Sequence, residues 1–396
     1  MLNLLDNNSK FKIKVFILIL CLTISSPQAA ASYSSEEAKP EITAKAAILI
    51  NAATGEILYE KNAYDRRYPA STTKIMTLIA ALEHGNLNDI VTTSRRAAST
   101  EGSSMDLIAG EQMKLIDMLY GTIMVSGNDA TVAIAEHISG SVAAFADIMT
   151  KKAHSIGAVN TNFVNPSGLP DERHYSTARD LAHIAAYGYN HPNPLFTHIV
   201  SARYVLIPRQ GKSEPQEIRT ENRILQFYEG GNGTKTGFTR AAGRCLVAGA
   251  KRFNTQLISV VLDSKDIWQD SMALLDYGFY EAKPINVIKQ GDILRTVNVK
   301  GGTQKTLTLV SSRDINVSLS QNEYISAFVT RIDAPKQIKA PVFAGQKIGT
   351  VKVIYGNREI ASADLVAAES VDRKTIFGRL WSSVLNLFTS LTNNSA

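Results

Sequence analysis

Cysteine is scarce in this sequence. Its 396 residues include two cysteines, Cys21 in an apolar amino-terminal stretch and Cys245 far from it. If the amino-terminal stretch is removed, one thiol remains, and a single thiol excludes an intramolecular disulfide. Cys245 lies in the apolar run CLVAGA, which favours a small buried side chain over a nucleophile. A disulfide scaffold is therefore not predicted.

Patterns for binding metals and nucleic acids are also missing. The seven histidines form neither an H-x-H nor an H-E-x-x-H pattern, and we expect most of them to be surface or capping residues. The formal net charge of +6 is diffuse, without a long Lys/Arg block, a zinc-finger spacing or an RNA-binding aromatic motif. We therefore expect no metal, no cofactor and no nucleic-acid partner, and a metallopeptidase is disfavoured.

The first 31 residues have the layout of a secretory signal peptide. Three lysines at positions 10, 12 and 14 precede the apolar residues 15–24, and the small residues of PQAAA follow, with cleavage expected after Ala31. The apolar stretch is short for a membrane span, and an uncleaved anchor is the alternative. This pattern predicts an exported protein.

Residues 41–283 are predicted to form a catalytic domain of the α/β (α+β) class, with helices packed on a mainly antiparallel sheet. The periodicity of apolar residues is the basis of this prediction. The expected elements are strands at 46–51 and 56–60, mostly helices from about 112 to 190, strands at 245–250 and 256–263, and a helix at 265–281.

The rest of the chain changes character. Residues 284–370 alternate apolar and polar in short runs between glycines, which predicts a small all-β domain that supports the catalytic domain or contacts another protein. Residues 372–391 carry apolar side chains at four-residue steps, with basic residues toward the start. We expect an amphipathic helix that lies in a membrane interface. A helix packed on its own protein is the alternative.

The stretch YPASTTKIMT, residues 68–77, places Ser71 three residues before Lys74. Taken alone, this pair is weak evidence for catalysis, and a helix N-cap followed by an ordinary surface lysine explains it better. Two further motifs follow in order, Ser126-Gly127-Asn128 in a break between helices and Lys235-Thr236-Gly237 at the expected start of a strand. S-x-x-K, S-x-N and K-T-G form the motif set of penicillin-binding proteins and class A β-lactamases. All three in this order favour a catalytic site.

These residue types suit nucleophilic catalysis by serine. Serine needs a base within hydrogen-bond reach, and Lys74 shares one helix face with Ser71. Lysine is a base only where its pKa is lowered by burial or by a neighbouring positive charge, part of which Lys235 can supply. Ser126 can relay a proton to the leaving amine. The backbone N–H groups of Ser71 and Phe238 are the candidates for stabilising the oxyanion.

The remaining motif residues suit substrate binding. Asn128 offers a substrate amide one donor and one acceptor. Lys235 by its charge and Thr236 by its hydroxyl suit a terminal carboxylate. Gly237 lets a substrate backbone lie close to the strand.

The chain resembles the serine-type D-alanyl-D-alanine carboxypeptidases among the low-molecular-mass penicillin-binding proteins, over nearly the whole chain that follows the signal peptide. The resemblance rests on PASTTKIMT (69–77), GSSMDLIAGE (102–111), SGNDA (126–130), NPSGLPDERHYSTARDLA (165–182), KTGFTRAAG (235–243) and APVFAGQKIGTV (340–351). It implies a β-lactamase/transpeptidase-like catalytic domain, and a reaction outside the cytoplasmic membrane that removes the terminal D-alanine from peptidoglycan stem pentapeptides and so regulates cross-linking.

The resemblance also implies roles for individual residues. Ser71 becomes the nucleophile that substrate and penicillins acylate, Lys74 the base and Ser126 the proton relay. Asn128, Lys235 and Thr236 become substrate binders. Peptidoglycan stem peptides and β-lactam antibiotics are the expected partners, with attachment to the outer face of the cytoplasmic membrane through the carboxy-terminal helix.

Two positions depart from the family pattern, and other functions use the same motifs. Asn232 stands where the family often has aspartate, and Asp106 where it usually has an apolar or amide residue. A β-lactamase needs an added glutamate for deacylation, and nothing marks Glu136 or Glu172 as that base. A D,D-endopeptidase or transpeptidase uses the same acylation machinery, and a non-catalytic cell-wall binding protein would keep only the fold.

Overall fold

The structure is a computed structural model, and it describes residues 39–252, 254–281, 283–319, 328–356 and 358–374. The signal peptide predicted for residues 1–31 lies outside these ranges. Most of the helix predicted for residues 372–391 also lies outside them. The described residues of this segment, 372–374, are not helical, because Arg373 forms an isolated antiparallel β-bridge with Gly302 and Lys374 donates its backbone N–H to the carbonyl of Gly301 at 2.9 Å.

Strands dominate both ends of the described chain and helices the middle. The strands are β1 Ala46–Asn51, β2 Ile57–Lys61, β3 Ile90–Thr92, β4 Gln112–Lys114, β5 Tyr204–Ile207, β6 Gln216–Arg219, β7 Gly231–Thr239, β8 Gly243–Arg252, β9 Thr255–Ser264, β10 Lys283–Ile288, β11 Ile293–Lys300, β12 Thr306–Ser311, β13 Ile315–Leu319, β14 Phe328–Asp333, β15 Gln337–Lys339, β16 Lys347–Tyr355 and β17 Arg358–Ala367. The helices are α1 Lys74–His84, α2 Arg95–Ala98, α3 Leu115–Met124, α4 Asn128–Ser139, α5 Val142–Ser155, α6 Ala178–Tyr189, α7 Leu195–Val200, α8 Ile224–Phe227 and α9 Ile267–Glu281.

The catalytic domain is built on a sheet with the order β2-β1-β9-β8-β7, in which all neighbours are antiparallel. All six residues of β1 are buried. Ala46, Ile48 and Ile50 belong to the apolar cluster of helices α1 to α6, whereas Ala47 and Leu49 belong to the cluster of α9. Successive side chains point to opposite faces of a strand, so helices cover both faces of this sheet. The predicted fold class is confirmed.

Helix α1 is the central element of the helical layer. Its sequence KIMTLIAALEH is apolar on almost every side, and residues 74–81 are all buried. A helix that is apolar all round is stable only inside a protein. Lys74 is the first residue of this helix and is buried with it. The burial that the chemistry requires therefore comes from the packing of α1.

The carboxy-terminal strands form a separate apolar core. Their larger sheet has the order β14-β16-β17-β12-β11-β15, antiparallel except for the pair β11 and β15. Its core includes Leu309, Val351 and Leu365, and it shares no residue with the two clusters of the catalytic domain. The predicted all-β character of this region is confirmed.

None of the helices in the described ranges is, as a single helix, long and apolar enough to cross a membrane. The bent pair Asn128–Ser139 and Val142–Ser155 meets the same length and composition criteria when taken together.

Candidate active site

Ser71 lies in a short 3-10 turn, Ala70–Thr73, immediately before α1. The N-cap position, which was the alternative to catalysis for Ser71, is not held by Ser71. Thr73 holds that position, and it makes no side-chain capping hydrogen bond. The turn is fastened by other hydroxyls, since Thr72 donates to the carbonyl of Pro69 at 2.6 Å and Thr73 contacts Nε2 of His174 at 2.9 Å. The hydroxyl of Ser71 is therefore not needed to hold the turn and is available to react.

Lys74 faces Ser71 from the start of α1. Its side chain is fully buried, and Nζ lies 2.9 Å from Ser71 Oγ, 2.7 Å from Asn128 Oδ1 and 2.7 Å from the carbonyl oxygen of Ser167. Burial holds the pKa of Lys74 well below its ordinary value, and Lys235 lowers it further by repulsion, while Asp129 opposes the shift. A neutral amine at this place can accept the proton of Ser71. The predicted influence of Lys235 on Lys74 is present in the structure.

Ser126 and Asn128 flank the break between α3 and α4. Ser126 has a left-handed φ of 62°, is buried, and its Oγ makes no hydrogen bond to any described residue. Strained backbone of this kind concentrates at functional sites. Asn128 donates Nδ2–H to the carbonyl of Glu101 at 2.6 Å in addition to accepting from Lys74. Both polar atoms of the Asn128 amide thus have protein partners, and a substrate amide must displace one of these partners to bind there.

The K-T-G motif lies in the middle of β7, so the prediction that Lys235 begins the strand is wrong. β7 is the last strand of its sheet, and its free edge can pair with an extended substrate backbone. Lys235 is buried and donates to the carbonyl of Thr236 at 3.0 Å. Burial lowers the pKa of Lys235 to about 8, against the opposing charge of Glu221.

Gly237 joins the strand to the nucleophile turn. A Cβ atom on Gly237 would lie 3.0 Å from Ser71 N and 3.1 Å from Thr72 N. Besides the room that glycine leaves for a substrate, a second reason for glycine at this position is that the backbone of residues 71–72 packs directly against it. The same contact places the N–H groups of Ser71 and Phe238, the predicted oxyanion donors, on adjoining backbone segments.

These groups open into a cleft of about 610 Å³. Its lining includes Ser71, Ser126, Thr236 and Gly237 from the three motifs, and also the exposed side chain of Phe238. The other lining residues are Ser103, Glu221, Arg223, Arg244, Lys265, Asp266, Ile267 and Trp268. Neither glutamate considered as a β-lactamase base belongs to this lining. In the described part of the chain, no group of three or more His, Cys, Asp or Glu side chains is arranged to hold a metal ion.

Several residues that shape this site carry no role predicted from the sequence. Ser167 supplies its carbonyl to Lys74, and Asp129 is buried beside Asn128. His174 is 1 % exposed and is the exception to the prediction that most histidines are surface or capping residues. Its Nδ1 accepts from Val164 N–H, and burial lowers its pKa to about 4. A neutral His174 therefore donates Nε2–H to Thr73. In the sequence, these three residues are marked only by lying in two stretches that resemble the family, 126–130 and 165–182.

The two departures from the family pattern are accommodated locally. Asn232 exchanges hydrogen bonds between its amide and that of Gln256, with Asn232 Nδ2 to Gln256 Oε1 at 2.7 Å and the reverse at 3.1 Å. Asp106 adopts a left-handed φ of 58°, donates its N–H to Ser104 Oγ and offers its carbonyl to Arg209. Neither departure removes a group from the cleft.

The comparison with known proteins agrees with this geometry. The model of the D-alanyl-D-alanine carboxypeptidase family, Peptidase S11, matches residues 33–266, more than half of the chain. The chain belongs to this family. A second model, the C-terminal domain of penicillin-binding protein 5, matches residues 283–373.

Individual members of the family are similar over most of their length. The D-alanyl-D-alanine carboxypeptidase DacF of Bacillus subtilis is 38% identical over 84% of this chain and 87% of its own. The crystal structure of penicillin-binding protein 5 from Haemophilus influenzae is 33% identical, with a TM-score of 0.58 over 84% of this chain and 99% of its own. A mutant of the Streptomyces K15 DD-transpeptidase is 31% identical, with a TM-score of 0.58 over 61% of this chain and 100% of its own.

Proposed function

We propose that this protein removes the terminal D-alanine from peptidoglycan stem pentapeptides through an acyl-enzyme on Ser71. The observation that carries the proposal is the contact of 2.9 Å between Ser71 Oγ and the buried amine of Lys74. An amine whose pKa is lowered by burial, placed beside a serine hydroxyl, is the arrangement that makes serine nucleophilic. Membership of the carboxypeptidase family supports the choice of substrate.

The geometry supports a sequence of proton transfers in which each proton is accounted for. Neutral Lys74 takes the hydroxyl proton of Ser71 while Oγ bonds to the carbonyl carbon of the penultimate D-alanine. The N–H groups of Ser71 and Phe238 stabilise the oxyanion. Lys74 then returns a proton through Ser126 to the amine of the departing D-alanine, and the peptide bond breaks. In deacylation, water gives a proton to neutral Lys74 as its oxygen bonds to the ester carbon, and Lys74 passes that proton to Ser71 Oγ as the ester bond breaks.

The substrate is held by the groups around this path. Cationic Lys235, together with the Thr236 hydroxyl, binds the terminal carboxylate, and the edge of β7 pairs with the peptide backbone. Penicillins carry both a carboxylate and a reactive amide-type carbonyl. We therefore propose that they acylate Ser71 by the same route.

A direct test measures both reactions on the purified protein. A synthetic peptide that ends in D-Ala-D-Ala is incubated with the enzyme, and released D-alanine is quantified. In parallel, benzylpenicillin is added and the intact mass is followed over time, with peptide mapping of any adduct. We expect D-alanine release and a persistent adduct on Ser71. Hydrolysed drug with only a fleeting adduct would indicate a β-lactamase, and neither reaction would indicate a binding protein.

Transpeptidation is the second candidate, and it is favoured by the similarity to the Streptomyces K15 DD-transpeptidase. The acylation step is shared, and the acceptor that attacks the ester decides between the two activities. Adding a free D-amino acid to the peptide assay distinguishes them, because a transpeptidase then forms an exchanged peptide in place of part of the hydrolysed product.

The pKa of Lys235 predicts how the reaction depends on pH. Lys235 is cationic below its pKa of about 8, so we expect kcat/KM for a carboxylate-bearing peptide to fall as the pH rises through this value. Arginine stays charged to far higher pH. In Lys235→Arg the alkaline limb of the pH profile should therefore move upward, even if the maximal rate is lower. Lys265→Arg, at an exposed position of the same cleft, is the control. An alkaline limb that stays in place in Lys235→Arg would contradict this assignment.

We also propose that the protein is exported and attached to the outer face of the cytoplasmic membrane. The signal-peptide layout of residues 1–31 and the amphipathic pattern of the carboxy-terminal segment support this proposal. Deleting residues 375–396, beyond the paired Lys374, should release the protein from sedimented membranes without loss of activity on soluble peptide. Continued sedimentation of the truncated protein with membranes would count against the anchor.

A further inference from the structure

Asp129 lies in the first turn of α4 and is a buried carboxylate that the proposed mechanism does not use. It is 1 % exposed. Its oxygens accept the hydroxyl hydrogen of Ser104 at 2.7 Å and the backbone N–H groups of Met105 and Leu107, each at 3.0 Å. No lysine or arginine in the described ranges forms a salt bridge with it. Apart from the N–H of the adjacent Ala130, which donates to Oδ1 at 2.9 Å, the donors belong to residues 103–107, a segment that we name the cleft wall, so Asp129 binds this wall rather than a cation.

The cleft wall also contacts the turn that carries the catalytic residues. Asn128 donates its backbone N–H to the carbonyl of Ser103 at 2.7 Å, and Ser103 lines the cleft. A Cβ atom on Gly127 would lie 2.8 Å from Cγ of Met105 and 2.9 Å from Oδ1 of Asp129. The wall and the turn therefore touch closely, and displacement of one moves the other.

Arg209 holds the cleft wall from another direction. It donates to the carbonyls of Met105 and Asp106, each at 2.9 Å, and its Nε pairs with Glu111 at 2.6 Å. Both partners of this ion pair are largely buried. The cleft wall is thus hydrogen-bonded to both Arg209 and Asp129. Of these two residues, only Asp129 belongs to α4, the helix that begins with Asn128.

The charge of Asp129 acts on the base as well. Among the described residues, the ionisable side chains that interact with Lys74 are Lys235 from β7, Asp129 from α4, and His174 from the segment before α6. His174 is neutral near neutral pH, because burial lowers its pKa to about 4. Lys235 lowers the pKa of Lys74, and the anion of Asp129 raises it.

We propose that Asp129 is a positioning residue for acylation. Its carboxylate holds the cleft wall against the turn that carries Ser126, and so keeps Ser126 and Asn128 in place opposite Lys74. Asp129 acts through these residues and does not touch the substrate. The inference rests on the proposed function, because it concerns the same acylation step.

The test is Asp129→Asn in the full chain, with the second-order rate of acylation by benzylpenicillin measured across a pH series. Asparagine keeps the shape but loses the charge and some of the accepted hydrogen bonds. We expect the rate to fall about 10- to 100-fold, because small displacements of catalytic groups have effects of this size. The acidic limb should also move to lower pH, since Lys74 without the neighbouring anion becomes neutral at lower pH.

Asp270→Asn is the matched control. Asp270 is also buried in the first turn of a helix, α9, and it accepts hydrogen bonds from Thr43, Ala44 and Ser264. It does not line the cleft. We expect Asp270→Asn to lower stability but to keep the wild-type acylation rate and pH profile. The proposal is overturned if Asp129→Asn keeps the wild-type rate and acidic limb, or if both variants lose acylation equally.

Ser104→Ala keeps the proposal testable if Asp129→Asn does not fold. It removes one donor to Asp129 and retains the charge, so we expect a fall of about 3- to 10-fold in rate, the size of one hydrogen bond, and no movement of the acidic limb. If Asp129→Asn does not fold, a wild-type rate in Ser104→Ala overturns the proposal. Wild-type protein that forms no adduct would overturn the proposed function, and this inference with it.

Discussion

Ser71→Ala is expected to abolish both D-alanine release and penicillin acylation while the fold is retained. The variant removes the oxygen to which the acyl group bonds, and no other hydroxyl among the described residues lies within hydrogen-bond distance of the Lys74 amine. Loss of the nucleophile in a serine hydrolase lowers turnover by roughly 10⁶-fold. The measurement is the intact mass after long incubation with benzylpenicillin, alongside D-alanine release.

The stability of the Ser71→Ala variant should remain close to that of the wild type. Ser71 contributes no capping hydrogen bond to α1, and alanine fits the 3-10 turn. Ser103→Ala is the control, because Ser103 lines the same cleft and is exposed. It should still form the adduct. An acyl adduct on the Ser71→Ala protein would show that another residue is the nucleophile.

Gly168→Ala is expected to have the second largest effect, although this residue belongs to none of the three motifs. Gly168 has a left-handed φ of 87°, and a Cβ atom there would lie 1.8 Å from the carbonyl oxygen of Ala70 and 2.9 Å from Oγ1 of Thr73. Ala70 immediately precedes the nucleophile, and Ser167 offers its carbonyl to Lys74. A side chain at this position must therefore push apart the two segments that hold Ser71 and its base.

The cost has two parts. A left-handed conformation costs a non-glycine residue about 1–2 kcal/mol, and overpacking typically adds about 1–3 kcal/mol. We expect the free energy of unfolding to fall by about 2–5 kcal/mol in total. The acylation rate should fall by at least about 100-fold, because the displacement falls on the reacting groups. Denaturant unfolding and penicillin acylation are the two measurements.

Gly110→Ala separates the two parts of this cost. Gly110 has nearly the same φ, 88°, and a Cβ atom there would meet nothing within 4 Å. The free energy of unfolding of Gly110→Ala should therefore fall only by the conformational part, about 1–2 kcal/mol, and its acylation rate should stay at the wild-type value. If Gly168→Ala acylates as fast as Gly110→Ala does, the close contact with Ala70 does not hold the nucleophile turn in place.

Short-range sequence patterns predict the motifs and the secondary structure, but they do not predict the contacts between segments that are distant in the chain. The nucleophile and the base were found from the sequence because they are three residues apart, and a spacing of that kind brings two side chains together in any helical turn. The strands of the central sheet were found as short apolar runs between turn residues, which is the pattern of strands that are buried on both faces. The helix expected at 265–281 agrees with α9 because its apolar residues recur with a period of 3.6 residues.

The same local reasoning misplaced two features. Ser71 was expected to open a helix, with an N-cap as the alternative to catalysis, since a serine before an apolar run is the usual N-cap signal. The chain instead forms a 3-10 turn that is held by Thr72 and by the distant His174. Lys235 was expected to begin a strand after a glycine-rich turn, yet β7 starts at Gly231 and includes those glycines. In both places, packing against a distant segment outweighs the local signal.

Local pattern therefore accounts for the elements, their order and the chemistry of the three motifs. Tertiary packing decides which groups surround those motifs. Lys74 is bonded to a carbonyl 93 residues away, and Thr73 contacts a histidine 101 residues away. The buried carboxylate of Asp129 holds the cleft wall more than 20 residues earlier in the chain. No short-range period encodes these contacts, because they exist only once helices and strands have packed together. The burial that lowers the pKa of Lys74 arises in the same step.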